Sequence, residues 1–180
     1  FQRKLGFYWL NYILDFTSFE NLKIVAFGKY EEIKILTPNL VDIKTHFYYG
    51  IIFDLFLAFI ESFFNISGPN IFHFRHLITF TVFFISSIFF FEIISKRFNN
   101  YWVSIFGILI YLLTPKVFGS AFFDGKDLFF YSLLTINFYL FFNYLDKPNF
   151  KNLFIFAAFS AFSTSSRIFG LIIPLSLLIL

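Results

Sequence analysis

The sequence predicts an all-α polytopic membrane protein, and two observations lead to that fold class. Hydrophobic residues make up 58% of the chain and charged residues only 14%, with a mean hydropathy of +0.75. A soluble domain carries about 25% charged residues. Beyond residue 76, apolar runs recur at close to the length of about 20 residues that a helix needs to cross a bilayer.

The same composition excludes several classes of function. Cysteine is absent, so the sequence holds no disulfide, thiolate nucleophile or cysteine metal site. The net charge of +3 is spread along 180 residues without a basic tract, so no nucleic-acid partner is expected. The sequence also lacks methionine and ends within the apolar run "GLIIPLSLLIL", and we therefore expect an internal fragment of a longer polytopic protein.

Residues 1–76 are predicted to form a loop outside the membrane. They hold 7 of the 14 Lys and Arg residues and 7 of the 11 Asp and Glu residues, which makes them polar yet neutral. The stretch "KYEEIKILTPNLVDIKTH" predicts an irregular segment broken at Pro38. In "FQRKLGFYWLNYIL", a helical period places four residues on one apolar face: Leu5, Tyr8, Trp9 and Tyr12.

Within this loop, residues 47–66 ("FYYGIIFDLFLAFIESFFNI") are long enough to span a bilayer but carry two acids. Asp54 and Glu61 are seven residues apart, which places both on one helix face. Each would cost about 2.5–3.5 kcal/mol at a bilayer centre. A helix in the membrane interface, with carboxylates towards water and apolar residues towards lipid, avoids that cost, and we prefer this interpretation.

Apolar runs after "GPN" predict the membrane bundle. The first run holds Glu92, near enough to Lys96 and Arg97 to pair with them, and Pro115 should end or kink the second run. The fourth is rich in Ala and Ser, which suits close helix packing, and the fifth is cut by the end of the sequence. The predicted spans are residues 77–95, 101–114, 128–145, 153–166 and 168–180.

Alternate crossings place "SKRFNN" and "DKPNFK" on one side of the membrane. Arg75, "KVFGSAFFDGKD" and "STSSR" share the other side with the loop of residues 1–76. Four Lys or Arg residues flank the spans on each side, so the positive-inside rule leaves the orientation open.

Charged residues at helix ends on the loop side form the candidate site. Membrane-edge charges of this kind are functional candidates. A carboxylate accepts a proton from a hydroxyl, and Arg and Lys bind phosphate oxygens, so the set suits an anionic lipid headgroup and a hydroxyl acceptor. The competing interpretation is structural: Asp127 begins a helix, and Asp124-Gly125 suits a turn. The candidates are Arg75, Asp124, Lys126, Asp127 and Arg167.

Two histidine motifs carry weaker signals. In "HFRH", His73 and His76 have a spacing found in metal sites, but no third ligand is evident and a helix cap is the preferred role. In "THFYYG", His46, Tyr48 and Tyr49 are site candidates, although tyrosine is ordinary at a membrane interface. No cofactor is predicted, and a divalent metal is the one candidate.

The order of motifs from Arg75 onward resembles a known family. An arginine precedes the first span, "SKRF" ends it, and the next span closes in "LTPKVF". Then come "FFDGKDLFF", a span, "DKPNFKN", a small-residue span and "SSRIFGLIIP". This order resembles the GT-C glycosyltransferases of the dolichyl-phosphate-mannose protein mannosyltransferase type, especially the bacterial relatives. The resemblance implies a GT-C-like transmembrane helix bundle with a long extracytoplasmic loop containing interfacial helices, into which residues 47–66 fit.

The resemblance also implies an activity. Such enzymes move a sugar from a polyprenyl-phosphate carrier to a lipid, protein or glycan hydroxyl at the extracytoplasmic face, with inversion at the anomeric carbon. A multi-pass protein of the bacterial inner membrane is expected, with "SKRF" and "DKPNFK" in the cytoplasm. Asp127 would support the site and Arg167 would contact the lipid phosphate. Apart from these two family positions, we expect Asp124 to support the site as well. The expected substrate-binding residues besides Arg167 are Lys126, Arg75, His46 and Tyr49.

One departure from the family concerns the catalytic base. The family's principal acid follows its first transmembrane helix, and this sequence has no such helix before "FQRKLGF". We therefore expect the base upstream of Phe1, because Asp15, Glu20 and Asp42 lack a matching context.

Two other functions compete with transfer. A transporter or flippase segment for an anionic lipid or solute would use the same charges but would show repeats or broken helices near the bilayer midplane. A non-catalytic membrane subunit would use the carboxylates as helix caps.

Overall fold

The computed structural model describes residues 2–36, 50–123 and 125–177, which are helical and contain no strand. They divide into two compact units, one up to His73 and one from Phe74 onward. The all-α part of the predicted fold class is confirmed. The helices are α1 (Gln2–Leu14), α2 (Glu20–Leu36), α3 (Ile52–Phe63), α4 (Asn70–Phe98), α5 (Tyr101–Leu113), α6 (Pro115–Phe123), α7 (Gly125–Asp146), α8 (Phe150–Ser166), a 3-10 helix (Ile168–Leu171) and α9 (Ile172–Ser176).

Two described helices, α4 with 29 residues and α7 with 22, are long and apolar enough to cross a membrane. Helices α5 and α6 together make a third candidate, bent by 58° between Leu113 and Pro115. The break lies where the proline predicted it, because proline lacks an N–H and fits the first position of a new helix. The described part of the chain therefore holds two helices able to span a membrane, or three if the bent pair counts as one.

The last two predicted spans have a less regular form. Helix α8 has 17 residues and covers the predicted span at 153–166. The predicted span at 168–180 begins with the four-residue 3-10 helix and the short α9, and residues 178–180 lie outside the described part. Whether these segments cross a bilayer stays a prediction.

The first unit packs α1, α2 and α3 around a small apolar core. Helix α1 forms as predicted, but its buried face is different: of the four residues assigned to that face, Leu5 is buried and Tyr8 and Tyr12 are exposed. The reason is Gly6, where any Cβ would overlap the Asp54 backbone carbonyl of α3. The close approach turns the face beside Gly6 inward. The buried core residues of this cluster are Phe7, Leu10, Leu14, Ala26, Ile33 and Ala58.

The loop predicted over "KYEEIKILTPNLVDIKTH" is wrong for its first part. Helix α2 continues to Leu36, and Lys34 pairs with Glu31 one turn earlier at 3.4 Å. Residues 29–36 are mostly good helix formers, and this i,i+3 pair adds modest support. Residues 37–49, including Pro38 and His46, lie outside the described part of the chain.

Helix α3 places Asp54 and Glu61 on one face, as predicted, but the direction of that face was predicted wrongly. Both acids are buried, each 0% exposed, while Phe59 and Phe63 point outward. Arg3 of α1 binds Glu61, so the acid face turns into the unit instead of towards water. At 12 residues, or about 18 Å, α3 is too short to cross a bilayer. Its predicted place in the membrane interface stays a prediction.

The second unit has two apolar clusters. The first joins α4 to α7 around Tyr111, whose ring stacks on Phe83, Phe90 and Tyr131 at centroid distances of 4.6–5.4 Å. The Tyr111 hydroxyl shares hydrogen bonds with Ser86 at 2.8 Å and with Thr135 at 3.2 Å, so α4, α5 and α7 meet at one polar point. The second cluster consists of Phe141, Phe156 and Ile173, from α7, α8 and α9.

Candidate functional site

Helices α6 and α7 supply one side of the candidate site. Pro115 begins α6, so Lys116 and Ser120 lie one turn apart on the same face. Asp127 occupies the first turn of α7. A carboxylate is stabilised there by the unpaired N–H groups and the positive end of the helix dipole.

Arg167 comes to the same place from the end of α8. Its backbone is extended (φ −151°, ψ 141°) and separates α8 from the 3-10 helix. Its N–H donates to the Ser163 carbonyl at 3.0 Å, and its own carbonyl accepts from the Gly170 N–H at 2.9 Å. Hydrogen bonds on both sides therefore fix the chain at this break, and the Arg167 side chain reaches α7.

Arg167 Nη2 forms an ion pair with Asp127 Oδ1. The two side chains are 36% and 51% exposed, and an exposed pair of this kind adds only about 0–1 kcal/mol to stability. The pair joins residues forty positions apart in the sequence and holds the guanidinium at the start of α7. The main effect of the ion pair is therefore to fix the Arg167 and Asp127 charges beside each other, rather than to stabilise the fold.

The ion pair lines an open pocket of about 390 Å³. This volume lies within the range of about 300–1,000 Å³ that is usual for small-molecule sites. Its lining combines two cations, one carboxylate and the Ser120 hydroxyl with aromatic and aliphatic side chains. Such a set can hold an anion beside an apolar chain. The lining residues are Lys116, Val117, Ser120, Asp127, Leu128, Phe130, Tyr131, Leu134, Arg167 and Phe169.

A buried polar network fixes α8 against α7. The Asn137 amide nitrogen donates to the Ser163 hydroxyl at 3.0 Å, and the Ser160 hydroxyl donates to the Asn137 amide oxygen at 3.0 Å. All three side chains are buried. Because small residues let helix backbones approach closely, the Ala- and Ser-rich composition of α8 agrees with the packing seen here.

Gly170 completes the turn that follows Arg167. A Cβ at Gly170 would lie 2.5 Å from the backbone carbon of Ser163 and 2.5 Å from the backbone nitrogen of Thr164. Backbone atoms cannot swing aside, so the 3-10 helix folds back onto α8 only with glycine at this position. The same contact sets the direction in which Arg167 leaves α8.

The other residues predicted for the site lie elsewhere or outside the described part. The Lys126 side chain is buried, 6% exposed, and does not line the pocket. Arg75 lies in the second turn of α4 and does not line it either. Asp124, His46 and Tyr49 lie outside the described residues. The structure thus brings together Asp127 and Arg167 from the predicted set.

His73 and His76 are exposed on α4. In residues 2–36, 50–123 and 125–177, no group of three or more His, Asp or Glu side chains is arranged to hold a metal ion.

Sequence reasoning missed Lys116, Ser120 and Tyr131. Lys116 entered the sequence argument only through the charge count on its side of the membrane. The spacing of Lys116 and Ser120 after Pro115 was the available signal, because a helix starting at the proline places both on one face. Nothing local to the sequence indicates that Tyr131 lies beside them.

A second charged cluster lies in the first unit. Glu61 accepts hydrogen bonds from Arg3 Nε at 2.9 Å and Nη2 at 2.5 Å. Lys29 Nζ donates to the carbonyl oxygens of Glu61 at 2.8 Å and Ile66 at 2.5 Å, and so caps the end of α3. Burial lowers the pKa of the Lys29 ammonium, and the nearby Glu61 carboxylate opposes that shift. These groups satisfy one another, which is typical of a structural cluster.

Comparison of the chain with protein-family models, with curated proteins and with solved structures finds no match. The residues of the pocket, and the membrane-length helix α7 that carries several of them, are therefore the features that indicate a function.

Proposed function

We propose that this chain belongs to a membrane glycosyltransferase that moves a sugar from a polyprenyl-phosphate carrier to a hydroxyl acceptor, with inversion. The supporting observation is the Asp127–Arg167 ion pair, which lines one pocket with Lys116 at the first turn of the membrane-length helix α7. The proposal includes a GT-C-like bundle in a bacterial inner membrane, with this pocket at the extracytoplasmic face.

The cations suit the departing phosphate. In the reaction, the acceptor oxygen bonds to the anomeric carbon, the bond from that carbon to the phosphate oxygen breaks, and polyprenyl phosphate leaves with the electron pair. Negative charge grows on the phosphate as it leaves. Arg167 offers planar paired donors and Lys116 a compact charge, and donors placed in advance stabilise such growing charge.

Asp127 has a supporting role in this scheme. Its carboxylate orients the Arg167 guanidinium and leaves the other N–H groups of that guanidinium for phosphate oxygens. The proton of the acceptor hydroxyl passes to a general base, a role that this scheme does not give to Asp127.

The apolar lining suits a lipid-linked donor. A polyprenyl chain stays in the bilayer and brings its phosphate to the membrane edge, where α7 begins. Leu128, Phe130 and Leu134 of α7 line the pocket beside the charged residues. A water-soluble nucleotide sugar would gain little from this surface.

The deciding experiment uses the full-length protein in detergent or liposomes with radiolabelled polyprenyl-phosphate sugars. Movement of label from the carrier to a hydroxyl acceptor is expected. Absence of transfer with every donor, together with lipid movement between leaflets, would replace the enzyme with a transporter. Absence of both would favour a non-catalytic subunit.

The bend between α5 and α6 favours transport of an anionic lipid as the second candidate. Broken helices beside charged pockets occur in transporters, and the 58° break lies directly before Lys116. Lipid movement without sugar transfer would support this function.

Asp127→Asn is expected to lower transfer more than Asp124→Asn. The amide keeps the shape of the side chain but removes the charge that holds Arg167, so a loss of about tenfold to a hundredfold is expected. Initial rates at saturating donor give the comparison, with Asp124→Asn as the matched control. Equal and negligible losses would leave Asp127 as a helix cap.

A further inference from the structure

A second pocket, of about 520 Å³, lies at the other end of α7. The candidate site uses Asp127 in the first turn of α7, whereas this pocket uses its last turns and those of α4. Phe89 of α4 packs on Tyr139 of α7 at a ring-centroid distance of 5.0 Å, which holds the two helices together beside the pocket. The lining residues are Ile93, Lys96, Arg97, Tyr139, Phe142 and Asp146.

The pocket contains two cations without a bound carboxylate. The pairing expected between Glu92 and Lys96 or Arg97 does not form, although Glu92 lies one turn before Lys96 on α4. Lys96 Nζ lies 4.8 Å from the centre of the Tyr139 ring, and the side chains of Lys96 and Arg97 make no hydrogen bond or ion pair with any described residue. Arg3 and Arg167, by contrast, each bind a carboxylate. Two adjacent cations that line a pocket and lack such a partner point to an anionic ligand from outside the chain.

The surroundings of these cations are those of a lipid site. They occupy the last turn of a membrane-length helix, which is the level of the phospholipid headgroups. Below them, Ile93 and Phe142 line the pocket, and Ile88 and Phe138 are exposed further along the same two helices. A soluble anion would use the charges alone, but an acyl chain would also cover these apolar side chains.

We propose that the pocket formed by Lys96, Arg97 and Tyr139 binds the headgroup of an anionic phospholipid, with an acyl chain along Ile93 and Phe142. Asp146 also lines the pocket and lowers its positive charge, so we expect a headgroup with a single negative charge, such as phosphatidylglycerol. This site does not depend on the sugar transfer proposed above.

The test uses the full-length protein purified in neutral detergent and titrated with phosphatidylglycerol, phosphatidylcholine or water-soluble glycerol phosphate. Native mass spectrometry counts bound lipid, and thermal unfolding gives a second measure of affinity. Phosphatidylglycerol is expected to bind and stabilise. Equal binding of phosphatidylcholine would show that the pocket does not distinguish an anionic headgroup from a neutral one. Equal binding of glycerol phosphate would show that the pocket binds soluble anions without a lipid chain. Either result would overturn the proposal.

Single and double variants test whether phosphatidylglycerol binds at this pocket. Arg97→Gln and Lys96→Gln should each lower the affinity for phosphatidylglycerol about fivefold, and the double variant about thirtyfold. Lys147→Gln, which lies just beyond α7 and does not line the pocket, is the matched control. Asp146→Asn should raise the affinity for phosphatidylglycerol. A variant that merely folded less well would lower that affinity instead. A double variant that binds as well as Lys147→Gln would refute the site.

Discussion

Replacing Arg167 with alanine in the full-length protein is expected to abolish sugar transfer while leaving membrane insertion intact. Among the described residues that line the pocket, Arg167 alone can offer paired donors to a phosphate, and Asp127 already holds its guanidinium in place. Removing a donor aimed at growing negative charge lowers rates by about a hundredfold to a thousandfold, which brings transfer close to the background rate. Its ion pair is partly exposed, so little stability is lost with it.

Three measurements check this result: transfer from radiolabelled donor, the amount of protein in the membrane and the thermal unfolding temperature. Arg167→Lys keeps the charge but loses the paired geometry, so its rate should lie between those of the wild type and alanine. Lys151→Ala, in the first turn of α8, controls for loss of a cation and should leave transfer unchanged. Full activity in Arg167→Ala would remove this residue from the site.

Gly170→Ala is expected to disturb the site by moving the backbone. The added methyl group would lie 2.5 Å from backbone atoms of Ser163 and Thr164, so the 3-10 helix must separate from α8. Overpacking of this kind costs about 1–3 kcal/mol. The separation also moves Arg167, and a displacement of about 1 Å in a positioning group lowers rates by about a hundredfold.

Gly119→Ala is the matched control for that change. Gly119 lies within α6, and a Cβ added there would have open space around it, so alanine should stabilise that helix by up to about 1 kcal/mol. Thermal unfolding in detergent and initial transfer rates distinguish the two variants. If both glycine variants behave alike, the close contact at Gly170 does not position Arg167.

The sequence allowed Asp127 and Arg167 to be singled out because charges at the ends of apolar runs are conspicuous. It did not show that the two form an ion pair, since the thirty-nine residues between them leave the packing of α8 on α7 undetermined. That packing depends on Asn137, Ser160 and Ser163, whose hydrogen bonds are long-range. Polar residues within apolar runs were the available signal.

In the first unit, the sequence predicted which residues share a helix face but not the direction in which that face points. The seven-residue spacing of Asp54 and Glu61 gave their shared face correctly, because helix geometry is local. The direction of that face was wrong, because Arg3, far away in the sequence, neutralises Glu61 inside the unit. An isolated acid would prefer water, but a paired acid can be buried.

One buried cluster in the first unit draws on all three of its long helices: Arg3 comes from α1, Lys29 from α2, and Glu61 from α3. Releasing any one helix would leave at least one buried charge or carbonyl without its partner. The free-energy cost of that unpaired group would destabilise the two helices that remain packed. The three helices should therefore open together as one cooperative element, with their core amide hydrogens exchanging at a common rate. Fraying one helix at a time would leave a stepwise pattern of exchange instead.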